Sequence, residues 1–153
     1  MLLFFILPYK LTVMFYAIIN GPNLNLLGKR QPEIYGHETF DDTLAEIRAA
    51  FPATEIKYFQ SNCEGEIIDE IQRKGFDPSC CGIVLNPGGY THYSVAIADA
   101  VAAVPVPVVE VHISNIHARE DFRHTSVTAR AAKGVITGLG LDGYRLALNF
   151  LMR

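Results

Sequence analysis

The sequence predicts an α/β protein in which a doubly wound, five-stranded parallel sheet lies between two layers of helices, a three-layer αβα arrangement. Short apolar runs alternate along the chain with segments of helical periodicity, which is typical of successive β-α units. The chain has 153 residues, of which 50% are hydrophobic, so a single core can form without disulfides or a structural metal. We therefore expect one domain over residues 15–153, preceded by an extension over residues 1–14.

The individual elements follow from apolar runs that end in turn residues and from apolar side chains at helical spacing. The predicted strands are residues 15–20, 54–60, 82–85, 106–111 and 134–137. The predicted helical segments are residues 40–51, 64–74, 92–103, 118–124 and 142–152. Thr39 and Asp41 are both candidates for the N-cap of the first helix.

Net charge, hydropathy and cysteine content indicate which binding partners and which cellular compartment to expect. Lys and Arg number 13 against 16 Asp and Glu, a net charge of −3 without a basic cluster, so we expect no nucleic-acid partner. The apolar run at residues 1–7 is too short to span a membrane, and no membrane association is expected. Three cysteines, two of them adjacent, form no disulfide framework and favour a reducing cytoplasm. A mean hydropathy of +0.19 indicates that some surface is buried between subunits.

Polar side chains cluster where the predicted strands end. They carry amide, hydroxyl, imidazole and guanidinium groups, at Asn20, Asn23, Asn86, His92, His112, Ser114, Arg119 and Arg123. Because the carboxyl ends of parallel strands meet at one edge of a sheet, these groups are expected to converge there. Carboxylates are scarce among them, so the pattern suits a small, polyhydroxylated, anionic ligand.

Two features of this edge each have a functional and a structural interpretation. Glu110 and His112 lie two residues apart on one strand face, where a carboxylate can fix the tautomer of an imidazole. A buried structural pair is the alternative. Gly88 and Gly89 let backbone N–H groups approach an anion at the start of the next helix, where His92 lies, or they mark only a loop.

Tyr35 lies on a glycine-flanked loop and is either a packing aromatic or an ionised base. An ordinary tyrosine has a pKa of about 10, and lowering it to about 7 requires roughly 4 kcal/mol of electrostatic stabilisation. One exposed cation does not supply that much. Arg30 and Arg123 together, in a site closed to water, could supply it.

Other motifs carry less weight. Residues 138–143 match G-x-G-x-x-G, but only ten residues follow, too few to complete a dinucleotide-binding unit. His112 and His117 lack further metal ligands at helical spacing, although a zinc site stays open as an alternative. Cys63 precedes a helix and could act as a nucleophile, but a passive role is favoured. We expect neither a cofactor nor a metal.

Four segments together resemble the type II 3-dehydroquinate dehydratases, at residues 20–36, 60–66, 85–92 and 110–123. The resemblance runs from about Phe15 to Met152. Gln31 stands where the family usually has Glu, and Gly89 where it often has Ala. The resemblance implies a flavodoxin-like fold and one catalytic domain. It also implies a shikimate-pathway reaction, in which water leaves 3-dehydroquinate by anti elimination through an enolate to give 3-dehydroshikimate.

The resemblance also implies catalytic roles for five residues. Tyr35 matches the base that removes a C2 proton, with Arg30 holding it ionised. Asn23 would hold a water against the enolate oxygen. His112, oriented by Glu110, would protonate the departing hydroxyl.

Further positions match substrate-binding residues of the family. These are Asn86, Gly88, Gly89, His92, Asp99, Ile113, Ser114 and Arg123. Asp99 matches a residue that reaches the site of a neighbouring subunit. The resemblance thus implies a homo-oligomer, a dodecamer built of trimers.

One alternative of another class remains open, a non-catalytic or flavin-binding flavodoxin-like module. A lysine Schiff base, the chemistry of the unrelated type I enzymes, is rejected because no lysine is expected in a buried strand-end pocket. The lysines are Lys10, Lys29, Lys57, Lys74 and Lys133.

Overall fold

The computed structural model describes residues 12–29, 33 and 37–153 of the chain. Its strands are β1 (Phe15–Asn20), β2 (Glu55–Gln60), β3 (Cys80–Asn86), β4 (Val108–His112) and β5 (Gly134–Thr137). Its α-helices are α1 (Phe40–Ala50), α2 (Glu64–Gly75), α3 (Val95–Ala103) and α4 (Asp142–Leu151). The strands form one parallel sheet in the order β2-β1-β3-β4-β5.

The sheet separates two apolar cores, because successive side chains of a strand point to opposite faces. Ile18 of β1 packs on one face with Leu44 of α1 and Leu148 of α4. Ile19 packs on the other face with Ile71 of α2, in the core that also receives α3. The three-layer αβα arrangement predicted from the sequence is confirmed, with α1 and α4 on one face and α2 and α3 on the other.

The direction in which strands are added to the sheet reverses between β1 and β3, so the topological switch point lies there. Successive connections leave β1 towards β2 on one side and towards β3, β4 and β5 on the other, which is the flavodoxin-like order. Asn20, at the end of β1, pairs in register with Gln60 of β2 and Asn86 of β3. Three polar strand ends therefore meet where open α/β sheets bind ligands.

The first helix begins with a reciprocal cap. The Thr39 hydroxyl accepts from the Asp42 backbone N–H at 3.2 Å, and the Asp42 carboxylate accepts from the Thr39 N–H at 3.2 Å. These two hydrogen bonds satisfy backbone groups that a helix start leaves unpaired. Of the two caps considered from the sequence, Thr39 is the one used.

Several predicted boundaries are wrong by a few residues. The helix predicted from His92 begins at Val95, because the Ser94 hydroxyl accepts from the Ile97 N–H at 2.9 Å and fixes the helix start there. The residues before it, Gly88–His92, form a 3-10 helix instead. The strand predicted over residues 106–111 is β4, which begins only at Val108, after a proline that has no N–H to donate.

The helical segment predicted over residues 118–124 is two separate 3-10 turns, Ile116–Ala118 and Asp121–Arg123. Arg119 and Glu120 between them are extended, so no continuous helix forms. Two further 3-10 turns of three residues each lie at Leu24–Leu26 and Thr128–Arg130. No helix in the part of the chain that the structure describes is long and apolar enough to cross a membrane.

Candidate active site

A cavity of about 210 Å³ opens beyond the carboxyl ends of β1, β3 and β4. Its walls come from the loops that follow these three strands. The residues that line it are Pro22, Asn23, Leu24, Leu26, Leu27, Asn86, Gly88, Gly89, His92, His112, Ile113, Ser114, Ile116, Arg119 and Arg123. Nine of the site residues predicted from the sequence are among them, so the expected convergence at the strand ends takes place.

The apolar part of the wall was not predicted. Leu24, Leu26, Leu27 and Ile116 give the cavity an apolar side, and Arg119 adds a second guanidinium to its polar side. The leucines follow β1 at a spacing that has no strong period, so the sequence offered no signal for them. Arg119 was expected at the strand ends together with Arg123, but it was given no catalytic or binding role.

His112 and Glu110 form a buried pair at the end of β4. The imidazole Nε2 lies 2.6 Å from Glu110 Oε1, and the two residues are 5% and 0% exposed. Burial raises the pKa of Glu110, but hydrogen bonds from His112, Thr128 and Ser126 and the charge of His112 outweigh it and hold that pKa below its ordinary value. Glu110 is therefore ionised near neutral pH and accepts the Nε2 proton, which fixes the tautomer of His112.

His92 presents a second imidazole to the cavity in a different setting. Its Nδ1 donates to the Thr125 carbonyl oxygen at 2.8 Å, which leaves Nε2 as the ring nitrogen able to accept from a ligand. Burial, assisted by the nearby positive charge of Arg123, lowers the pKa of His92 below its ordinary value. The two cavity histidines thus differ, since only His112 has a carboxylate partner.

The amide of Asn86 is held by a buried chain of side chains. Asn86 Nδ2 donates to the Tyr144 hydroxyl at 2.8 Å, and that hydroxyl donates to Asn20 Oδ1 at 2.9 Å. Asn86 Oδ1 accepts from the Gly88 N–H at 3.1 Å. Tyr144 is fully buried on α4, and burial raises its pKa, so its hydroxyl stays protonated and can make both bonds.

Asn23 lies at the turn after β1 with φ of 68°, a left-handed conformation that asparagine tolerates better than most residues. Its backbone N–H donates to Asn62 Oδ1 at 3.0 Å. Gln60 Nε2 donates to the same oxygen at 3.2 Å. The segment after β2 thereby fixes the backbone of a predicted catalytic residue, without itself lining the cavity.

Both arginines of the cavity lie near the carboxylate of Glu120. Arg123 Nε donates to Glu120 Oε2 at 2.9 Å, and Arg119 Nε lies 3.6 Å from the same oxygen. Arg119 also approaches the Ser114 hydroxyl at 3.5 Å. Two guanidinium groups beside a serine hydroxyl form a setting suited to an anionic group on a ligand.

The remaining predicted site residues lie elsewhere. Glu110 is behind His112 and does not line the cavity. Asp99 is exposed on α3 and is also outside the cavity of this chain. Arg30 and Tyr35 fall outside the described residues. The described part of the chain contains no group of three or more His, Cys, Asp or Glu side chains that could hold a metal ion.

The glycine-rich run after β5 supports β4. The Gly138 N–H donates to the His112 carbonyl oxygen at 3.1 Å, and the Gly140 N–H donates to that of Ile113 at 3.0 Å. Gly138 has φ of +83°, and a Cβ added to it would lie 2.9 Å from Asn115 Cβ, so a larger residue would not fit. The run therefore anchors the end of β4 by backbone hydrogen bonds.

Fold and cavity together define an α/β protein of flavodoxin-like topology with a strand-end site for a small polar ligand. Comparison with known proteins gives the family. The sequence profile of dehydroquinase class II matches residues 14–152. The chain therefore belongs to the class II dehydroquinase family, a family of hydro-lyases.

Individual relatives agree with this assignment. A protein of Halothermothrix orenii named 3-dehydroquinate dehydratase is 56% identical over 138 residues, which are 89% of this chain and 92% of that protein. One of the same name from Bacillus licheniformis is 53% identical over 137 residues, 88% of this chain and 93% of its own length. The crystal structure of type II dehydroquinase from Butyrivibrio crossotus superposes with a TM-score of 0.87 at 47% identity, covering 92% of this chain and 99% of that one.

Proposed function

We propose that this protein is a type II 3-dehydroquinate dehydratase that converts 3-dehydroquinate to 3-dehydroshikimate and water by anti elimination through an enolate. The observation that carries this proposal is the buried Glu110–His112 pair, whose imidazole lines a strand-end cavity in a chain of the class II dehydroquinase family. Such a pair supplies a proton donor of fixed orientation next to a polar ligand. The reaction would belong to the shikimate pathway of aromatic amino-acid biosynthesis.

In this mechanism His112 protonates the hydroxyl that leaves as water. His112 Nε2 donates its proton to Glu110 Oε1, at an N···O distance of 2.6 Å. Nδ1 is therefore the ring nitrogen that can carry a proton towards the ligand. The step leaves a neutral imidazole and a water molecule. The proton that the base takes from C2 would return through solvent to the imidazole, which restores both groups before the next turnover.

The base is Tyr35, ionised with the help of Arg30, and this assignment rests on the resemblance of their segment to the family. Arg119 and Arg123 add positive charge to the cavity wall, which favours an anionic phenolate over a neutral phenol. Removal of the C2 proton produces an enolate. Asn23 would hold a water that donates to the enolate oxygen.

The remaining cavity groups would bind the substrate. The Ser114 hydroxyl, the backbone N–H groups of Ile113 and Ser114, and Arg123 would receive its carboxylate. Asn86 and His92 would bind ring hydroxyls through groups already oriented by Tyr144 and by the Thr125 carbonyl. Gly88 and Gly89 have no side chain, so the ligand could approach their backbone closely.

We further propose a homo-oligomer, a dodecamer of trimers, in the cytoplasm, with residues 15–153 as its single catalytic domain. The exposed apolar side chains on and beside α3 support this proposal. Tyr93 and Val95 are 66% and 60% exposed, which is unfavourable for a monomer in water. Asp99 lies on the same helix and would reach the site of a neighbouring subunit.

The direct test is an ultraviolet assay of the purified protein with 3-dehydroquinate. We expect a colourless protein that generates the absorbance of a conjugated enone as 3-dehydroshikimate accumulates. Borohydride added together with substrate should leave the activity intact, because no imine forms. A yellow protein, or no enone signal between pH 6 and 9, would contradict the proposal and favour a flavin-binding module.

A further inference from the structure

Three hydroxyl groups surround the carboxylate of Glu110 in the interior. Thr91 Oγ1 and Ser126 Oγ each lie 2.8 Å from Glu110 Oε1, and Thr128 Oγ1 lies 2.6 Å from Oε2. Thr91 and Thr128 are both 0% exposed. We call Thr91, Ser126 and Thr128 the hydroxyl cluster. Together with the Nε2–H of His112, the cluster brings four donors to one buried carboxylate.

The hydroxyl cluster joins two segments that are distant in the sequence. Thr91 belongs to the 3-10 helix after β3, whereas Ser126 and Thr128 lie before β5. The Val127 N–H donates to the Thr91 carbonyl oxygen at 2.7 Å, which ties the two segments together. Because the Thr125 carbonyl oxygen accepts from His92, the segment 125–128 contacts His92 directly and contacts His112 through its partner Glu110.

The hydroxyls of the cluster also contact one another. Thr91 Oγ1 lies 2.7 Å from both Ser126 Oγ and Thr128 Oγ1. Each hydroxyl has a single proton, so a hydroxyl that donates to a neighbour withdraws a donor from Glu110. An ionised carboxylate accepts only, and hydrogen bonds to a charged group are about twice as strong as neutral ones. The arrangement with all three protons on the carboxylate is therefore the favoured one.

We propose that Thr91, Ser126 and Thr128 are positioning residues for His112: their hydroxyls keep the Glu110 carboxylate ionised and oriented, so that Oε1 receives the Nε2–H and Nδ1 serves the ligand. This inference rests on the proposed function for its kinetic consequence, but its structural part concerns the carboxylate alone. None of the three residues lines the cavity, so they act through Glu110 and not by touching the substrate.

Few other charged groups act on Glu110. His112 is on its own strand, and His92 approaches from the turn after β3, with Arg123 beyond it. The neighbours of Glu110 in the sheet are Leu85 of β3 and Val135 of β5, which carry no charge. The hydroxyl cluster is thus the main neutral source of donors to this carboxylate within the described residues.

The decisive variant is Thr128→Val, which replaces the hydroxyl by a methyl group of similar size. We expect kcat to fall about tenfold, with KM within about twofold of its original value, since the loss is of one hydrogen bond to a charged group. Thr128→Ser should restore most of kcat. The matched control is Thr43→Val, which removes a buried hydroxyl from α1, where it bonds to the Thr39 carbonyl, and should leave both constants unchanged.

A double-mutant cycle separates positioning from structural support. If Thr128 acts through Glu110, Thr128→Val lowers kcat by less than about twofold in a Glu110→Gln background. An equal loss of kcat in both backgrounds would overturn the proposal, as would failure of Thr128→Ser to rescue.

A second readout does not depend on the reaction. In protein labelled with carbon-13 at the glutamate carboxyls, NMR titration should find a higher pKa for Glu110 in Thr128→Val than in the parent and in Thr43→Val, because an anion has lost a donor. An unchanged Glu110 pKa would overturn the inference even if the protein is a dehydratase. A parent protein inactive on 3-dehydroquinate whose Glu110 still responds would contradict the proposed function and leave the inference standing.

Discussion

Polar and charged side chains have different surroundings at the two ends of the parallel strands, which we call the carboxyl edge and the amino edge of the sheet. At the carboxyl edge His112 and Asn86 are buried, oriented by other side chains, and face a cavity. At the amino edge β1 begins with Phe15, which is 0% exposed and is covered by the ammonium groups of Lys57 and Lys74, 3.7 Å and 5.1 Å from its ring centre. Polar groups at one edge are therefore available to a ligand, and charges at the other edge cover an apolar side chain.

The ion-pair and hydrogen-bond partners of these side chains explain the difference between the two edges. Lys74 is only 8% exposed, and burial lowers its pKa, yet Glu70 lies 3.8 Å from its ammonium group as a counter-charge. At the carboxyl edge Nδ1 of His112 and Nε2 of His92 are left for a ligand, because the other nitrogen of each ring is already bonded. The comparison teaches that burial alone does not mark a functional group. A buried group can serve a ligand when one of its hydrogen-bonding atoms is held by the protein and another is left towards the cavity.

The largest effect should come from Tyr35→Phe, which removes the proposed base and keeps the ring. We expect kcat to fall about 10⁴-fold, the upper range for loss of a general base, with an unchanged far-ultraviolet spectrum. Steady-state kinetics with 3-dehydroquinate measure it. Near-parental turnover would end the assignment of the base and, with it, the proposed use of the carboxyl edge.

At the amino edge, Phe15→Ala should act on stability instead. Truncating a buried phenylalanine costs about 3–5 kcal/mol of unfolding free energy. Urea titrations at one fixed protein concentration measure it, since assembly makes stability concentration-dependent. kcat per folded molecule should stay within about twofold, and a large fall would break the division between the edges. If the alanine variant does not fold, Phe15→Leu provides the same comparison at lower cost.

His112→Ala sharpens the comparison within the carboxyl edge. Loss of the proposed proton donor should lower kcat about 10²–10³-fold and leave the fold intact. The control is His117→Ala, which removes an exposed imidazole from the same loop outside the cavity and should have no kinetic effect. Equal losses in the two variants would show that the loop is merely sensitive to truncation.

The smallest effect concerns pH. The folded-state pKa of Glu110 lies below its ordinary 4.5, so its ionisation stabilises the fold above that pH, and this contribution is lost as the pH falls through the folded value. Glu110→Gln should therefore show lower stability than the parent at pH 7 and a flatter decline below pH 4.5. Unfolding by urea at several pH values measures both; parallel pH profiles would contradict the ionised state of Glu110.

Much of the fold could be predicted from local pattern. β1 has the bounds predicted, Phe15–Asn20, because a buried apolar run ending in turn residues leaves little choice. The polar residues after β1, β3 and β4 converge as expected, since a parallel sheet brings strand ends together. Boundaries were wrong where a single side chain decides them, as Ser94 does for α3.

The supporting residues of the site could not be predicted in this way. Thr91, Ser126 and Thr128 meet only because two loops distant in the sequence are tied by a backbone hydrogen bond. Hydroxyl residues are common in loops for many reasons, so their presence there carries little information by itself. Predicting their contact with Glu110 requires the three-dimensional arrangement of the loops.

The cap at the start of α1 has a consequence for the chain before it. Thr39 and Asp42 complete each other's hydrogen bonds, so the helix can begin without help from upstream residues. The residues between Gly28 and Thr39 are therefore not needed to cap the start of α1. Substitutions upstream of Thr39 should therefore leave the start of α1 intact, because both partners of the cap lie within the helix start itself.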